Sequence, residues 1–189
     1  MTGDRPRTAV IVNGPPGSGK SSLAPALADA LGLPLLTKDA VKETLLDELG
    51  YADRAASRRI GAAAGEVLWT VLASCPDGAV VESWLAPSLR EVVRAGLARA
   101  GVDRVIEVWC SCPPHEVRRR YTARQRHPGH FDDAFLGDLD EVLASAEPLA
   151  LGPVLHVSTD QPVDVAAVAS TVRGLLRTDA PGDAAPRTR

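Results

Sequence analysis

The chain has 189 residues, 45% of them hydrophobic and 24% charged, ordinary globular usage that excludes a mainly disordered or collagen-like polypeptide. Its 21 basic and 24 acidic residues leave a net charge of −3, a balance that points to no nucleic acid and no membrane surface as partner. Cys75, Cys110 and Cys112 form no even-numbered framework and have no zinc-like spacing, so they are expected as reduced core thiols. The polar start and short first apolar stretch fit neither a signal peptide nor a membrane span, and a cytoplasmic protein is expected.

In chain order, the apolar pattern predicts a strand over Thr8–Asn13, a helix over Lys20–Leu31, a short strand over Leu33–Thr37 and helices over Ala40–Leu49 and Ala55–Ser74. A strand over Ala79–Ser83, a helix over Ser88–Ala100, a strand over Arg104–Cys110 and helices over Pro114–Gln125 and Asp132–Ala146 follow. The strand Val154–Ser158 and the helix Val163–Leu176 complete the series. Four of the five strands are continuous apolar runs, as in a parallel sheet covered on both faces. In the longest helix Ile60, Ala63, Ala64, Val67, Leu68, Val71 and Leu72 recur at helical spacing and are expected to face the core. Residues 1–177 read as a single domain. Residues 178–189 have two prolines and no large apolar side chain, the composition of a frayed tail. Arg124–Asp133, with Pro128 and Gly129, reads as an exposed mobile excursion.

The most specific signal is Gly14, Pro15, Pro16, Gly17, Ser18, Gly19, Lys20, Ser21 and Ser22, a match to Gly-x-x-x-x-Gly-Lys-Ser/Thr between a predicted strand and a predicted helix. Such a loop wraps backbone amides around phosphates at the positive end of a helix dipole. Lys20 is expected on the β and γ phosphates of a nucleotide, and the Ser21 hydroxyl on Mg2+. The chain has no Asn-Lys-x-Asp guanine-specificity segment, and its central strand ends in a single carboxylate, Glu82, followed by Ser83, unlike the Asp or Asp-Glu of larger ATPases.

Asp39 follows the second strand, where the carboxyl end of a neighbouring strand opens into the phosphate crevice. It is placed either to take the proton of a substrate hydroxyl or to cap the next helix. Arg120 and Arg124 share one helical face, with Arg126 just beyond, so their guanidinium groups either converge on a transferring phosphoryl group or form a solvated face pairing with Asp132, Asp133 and Asp138. Glu82 is a candidate to hold the metal, contact the acceptor or form a structural ion pair. Trp84 would stack on a flat substrate or fill the core. Arg58 and Arg59 hint at an anionic acceptor, and His127 and His130 flank Pro128 and Gly129 in the segment that could cover the site.

On Gly14–Ser22, Thr37-Lys38-Asp39, Val80-Val81-Glu82-Ser83-Trp84, Cys112-Pro113-Pro114 and the arginine cluster through His130, the chain resembles small P-loop kinases. The group is the one containing chloramphenicol phosphotransferases, zeta toxins and AAA_33-type kinases. The resemblance covers residues 8–177 and implies a three-layer α/β P-loop NTPase fold. Its five-stranded parallel sheet has the order 2-3-1-4-5, with helices on both faces and a small lid near 114–133. It also implies Asp39 as general base, arginines 120, 124 and 126 in the lid, and the Thr159–Pro162 backbone along the adenine, residues that helix capping equally explains. Expected partners are ATP and a small-molecule hydroxyl acceptor, with the chain a monomer or homodimer. The competing readings are a regulatory ATPase acting through a protein partner and a toxin kinase acting on a nucleotide sugar.

Overall fold

A computed structural model describes residues 6–131 and 136–178. Five parallel strands, β1 (Thr8–Asn13), β2 (Leu35–Thr37), β3 (Gly78–Glu82), β4 (Arg104–Ser111) and β5 (Val154–Ser158), form one sheet in the order β2-β3-β1-β4-β5. Between them run α1 (Lys20–Leu31), α2 (Lys38–Leu49), α3 (Arg54–Ala73), α4 (Arg90–Arg99), α5 (Pro114–Ala123) and α6 (Leu139–Ser145), with α7 (Val165–Thr178) last. Every residue of β1 is buried. Its alternation divides the core: Val10 and Val12 pack with Leu23, Leu27, Val168 and Val172 of α1 and α7, while Ala9 and Ile11 pack with Leu68, Leu72, Val93 and Leu97 of α3 and α4. A continuous apolar strand has a layer of helix on each side to satisfy.

The expected strand order is the observed one, and the boundary shifts have local causes. Strand β2 starts at Leu35 rather than Leu33 because Pro34 has no N–H to pair and contributes only its carbonyl, which accepts from Val80 N at 2.9 Å. A 3-10 turn over Pro87–Leu89 delays α4 to Arg90. Helix α5 stops at Ala123 because Arg124 is extended, with φ −81° and ψ 143°.

The stripe expected on α3 is buried in part. Its buried residues are Ser57, Gly61, Ala64, Leu68, Trp69 and Leu72, whereas Ala63 faces solvent and Val67 and Val71 are 39% and 41% exposed. Trp69, 5% exposed, joins that face, and Ala64, Leu68 and Leu72 of the expected stripe are buried as expected. Of the cysteines, all free, only Cys110 is a core thiol; Cys75 and Cys112 are half-buried. Residues 179–189 of the expected tail, and Asp132 and Asp133, lie outside the described residues. Among the described residues no helix is long and apolar enough to cross a membrane.

One buried polar junction ties the sheet to the loop above it. Asn13, at the end of β1, donates through Nδ2 to Glu107 Oε1 at 2.9 Å and to Leu85 O at 3.1 Å, while its Oδ1 accepts from Gly14 N at 2.8 Å and Leu85 N at 2.9 Å. Glu107, 1% exposed on β4, also accepts from Leu149 N at 3.0 Å and Ala150 N at 2.8 Å. A buried carboxylate is tolerated only with such a set of donors.

Candidate active site

The loop between β1 and α1 begins at Gly14 with φ 144°, and a Cβ there would stand 2.2 Å from the Cys110 carbonyl oxygen, so only glycine fits. Gly14, Pro15 and Ser18 form its buried underside, and Pro16, Gly17, Gly19, Lys20, Ser21 and Ser22 line a cleft of about 1060 Å³. Gly19 caps α1 in the left-handed region without a side-chain hydrogen bond, which leaves the helix N-terminus to an external anion. Lys20 folds back so that Nζ donates to Gly14 O at 2.7 Å and Pro15 O at 3.0 Å. Burial pulls its ammonium down to about 8, against the opposing pull of Glu82. The Ser18 hydroxyl is buried without a hydrogen-bond partner. An anion cradle with a desolvated cation is the donor set that a nucleotide's phosphates require.

Glu82 ends β3 in register with Val12 of β1, next to the loop. Ser21 Oγ donates to its Oε1 at 3.2 Å. Burial raises the Glu82 carboxyl above its ordinary value, with Lys20 opposing. A hydroxyl and a carboxylate so close supply the hard oxygen donors that Mg2+ takes together with phosphate oxygens. Among the described residues no cluster of three or more His, Cys, Asp or Glu forms a separate metal site.

Across the cleft, Asp39 lies in the first turn of α2, whose N-cap is Thr37. The helix-cap alternative for Asp39 is thereby replaced by an ion pair with Arg126. Burial alone would push the Asp39 carboxyl up, but the charges of Arg126, His130, Lys38 and Lys20 outweigh it and hold the group below its ordinary value. Arg126 belongs to a segment that is docked, contrary to the expected exposed excursion. Ser57 Oγ donates to Gly129 O at 2.5 Å, His130 Nε2 meets Glu43 Oε1 at 2.7 Å, and His127 Nε2 meets Asp47 Oδ1 at 2.9 Å. His127 Nδ1 accepts from Gly129 N at 3.0 Å, so Nε2 carries the proton toward Asp47.

The three arginines line the same cleft but have different neighbours. Arg120 Nη2 donates to Thr159 O at 2.8 Å and its Nε to Glu116 Oε1 at 2.6 Å. Thr159 Oγ1 in turn donates to Ser18 O at 2.8 Å, so Arg120 braces α5 against the phosphate loop. Arg124 stacks over Tyr121 at 4.2 Å. Of the expected acidic partners, Asp138 faces Arg54 at 3.7 Å. Trp84 is half-buried at the cleft wall, 6.3 Å from the Trp109 ring, and Arg58 lines the wall from α3. Asn13, Ser57, Glu107 and the bracing role of Thr159 were not legible in the sequence, since each acts through a partner distant in the chain.

The strand, loop, buried lysine and helix, set in a parallel sheet of this order, define a P-loop nucleotide-binding protein. Residues 10–149 match the AAA_33 model, an AAA domain, and the chain belongs to that family. It is 46% identical over 45 residues to a cytidylate kinase from Ignicoccus hospitalis, a match spanning 24% of this chain and only 26% of that protein. A solved "putative kinase" from Chloroflexus aurantiacus is similar over 90% of this chain and 99% of its own, with TM-score 0.80 and 35% identity. The APS kinase of Mycobacterium tuberculosis, in complex with AMPPNP and APS, is similar over 93% and 99% of the two chains, with TM-score 0.58 and 25% identity. A sugar kinase from Janibacter sp. HTCC2649 shares the fold at TM-score 0.61 and 22% identity over 91% and 95%.

Proposed function

We propose that the chain is a Mg2+-dependent kinase that transfers the γ-phosphate of ATP to a hydroxyl group of a small molecule. The observation that carries this reading is the position of Asp39, an ionised carboxylate held by Arg126 in the same cleft as Lys20 and the Ser21–Glu82 pair. The likeness to solved kinases supports it.

The loop amides and Lys20 bind the phosphates, and Ser21 and Glu82 would hold Mg2+, which would supply charge neutralisation at the phosphates. Asp39 orients the acceptor hydroxyl and takes its proton as the new O–P bond forms and the bond to the ADP oxygen breaks. Arg120, Arg124 and Arg126 face the charge that develops on the transferring group. Trp84 and Arg58 form the acceptor wall. Incubation with γ-labelled ATP, Mg2+ and a broad pool of hydroxyl compounds tests the reading by mass spectrometry. A labelled, phosphorylated product is expected; label released only as inorganic phosphate would favour a regulatory ATPase.

A further inference from the structure

Lys38 and Lys42 line the cleft without a part in the phosphoryl transfer described above. Of the chain's 21 basic residues only three are lysines, and all three, Lys20, Lys38 and Lys42, line this cleft. Lys20 serves the phosphate loop. Lys38 and Lys42 lie four residues apart on α2, hence on one face, and Arg58 of α3 lines the same wall. Helix α3 has a glycine where Lys42 crosses it: a Cβ at Gly61 would stand 3.5 Å from Lys42 Cδ and Cε. Burial pulls the Lys38 ammonium below its ordinary value, with Asp39 opposing.

Among the described residues, seven lysines and arginines and three carboxylates line the cleft. The carboxylates are already engaged: Asp39 with Arg126, Glu82 with Ser21, and Asp160 with Ser158. Lys20, Arg120 and Arg124 stand on the side of the phosphate loop and Thr159. Lys38 is next to Asp39 and acts on its carboxyl, Lys42 lies one turn further along α2 against Gly61, and Arg58 lies three residues before Gly61 on α3.

We propose that the acceptor carries an anionic group of its own, a carboxylate or a phosphate, bound by Lys38, Lys42 and Arg58 while its hydroxyl faces Asp39. The inference rests on the kinase reading above. An anion anchored on the α2–α3 wall supplies binding energy remote from the reacting atoms and fixes the angle at which the hydroxyl approaches.

The test compares ATP-dependent phosphorylation of matched compounds, hydroxy acids against their methyl esters and sugar phosphates against the free sugars. The anionic member of a productive pair is expected to have the higher kcat/KM, and the productive arm tells carboxylate from phosphate. Lys42→Gln and Arg58→Gln are each expected to raise KM for that acceptor about 10- to 100-fold, with a smaller change in kcat, and Lys42→Arg to recover most of the loss. Arg58 is exposed, so Arg58→Gln carries the test even where Lys42→Gln disturbs folding. Equal use of neutral and anionic partners, or unmoved KM values, would overturn the proposal alone. Absence of any phosphorylated product would overturn the kinase reading and this inference with it.

Discussion

The guanidinium of Arg126 and the carboxylate of Asp39, 87 residues apart in the chain, form an ion pair across the cleft. The pair joins the segment after α5 to the first turn of α2. It also keeps Asp39 ionised, the state in which it can accept a proton.

Arg126→Gln is therefore expected to alter the pH dependence in a defined direction. Arg126 lowers both the Asp39 and the Glu82 carboxyls. Without it, both carboxyls lose one of the charges that lower them and protonate at higher pH. The acid limb of the pH profile of kcat/KM should move upward relative to the native protein. A limb that stays in place would show that neither carboxylate depends on this pair.

Lys20 has its ammonium at about 8 in the folded chain against an ordinary 10.5. Between those values the unfolded chain binds the extra proton, so this group's contribution to stability rises with pH across that window. Bound phosphate favours the charged form, so ATP binding at pH 8 is expected to take up about half a proton. Titration calorimetry in buffers of different ionisation enthalpy measures it. The uptake should vanish in Lys20→Arg, whose guanidinium is always charged.

The carboxylate of Glu107 accepts from two backbone amides and from Asn13. Glu107→Gln turns one acceptor into a donor facing a donor, at an expected cost of about 3 kcal/mol. Thermal melting should show a Tm lower by roughly 6–12 °C. An unchanged Tm would mean that the junction does not stabilise the fold.

Gly129 is packed so that a Cβ would lie 2.7 Å from Leu46 Cδ1 and 3.1 Å from Tyr51 Cζ. Gly129→Ala is expected to lift the docked segment and speed amide exchange at Gly129, His130 and Phe131 about tenfold or more. Unchanged exchange rates would show that Leu46 and Tyr51 yield without moving the loop.

What the sequence made legible follows from how local each signal is. The ends of β1 and α1 coincide with the expected Thr8–Asn13 and Lys20–Leu31, because the glycine loop marks both within a single motif. Helix α3 is legible as a helix and Ala64, Leu68 and Leu72 of its expected stripe are buried, but among small alanines the spacing alone does not show that Trp69 is covered while Val67 and Val71 are not. Arg124–Asp133 reads as an exposed excursion because its charges and Pro128 lie in one short stretch. Its partners, Asp39, Glu43, Asp47 and Ser57, lie 72 to 87 residues earlier. Only the closed α/β topology brings them together.

The central claim, that Asp39 takes the acceptor's proton, is tested most directly by Asp39→Asn, with ATP affinity and the rate of phosphoryl transfer measured on the same preparation. Asparagine keeps the size of the side chain and removes the base, so ATP should bind with nearly native affinity while transfer falls about 10²- to 10⁴-fold. Transfer at close to the native rate, with ATP bound as tightly as before, would contradict the account.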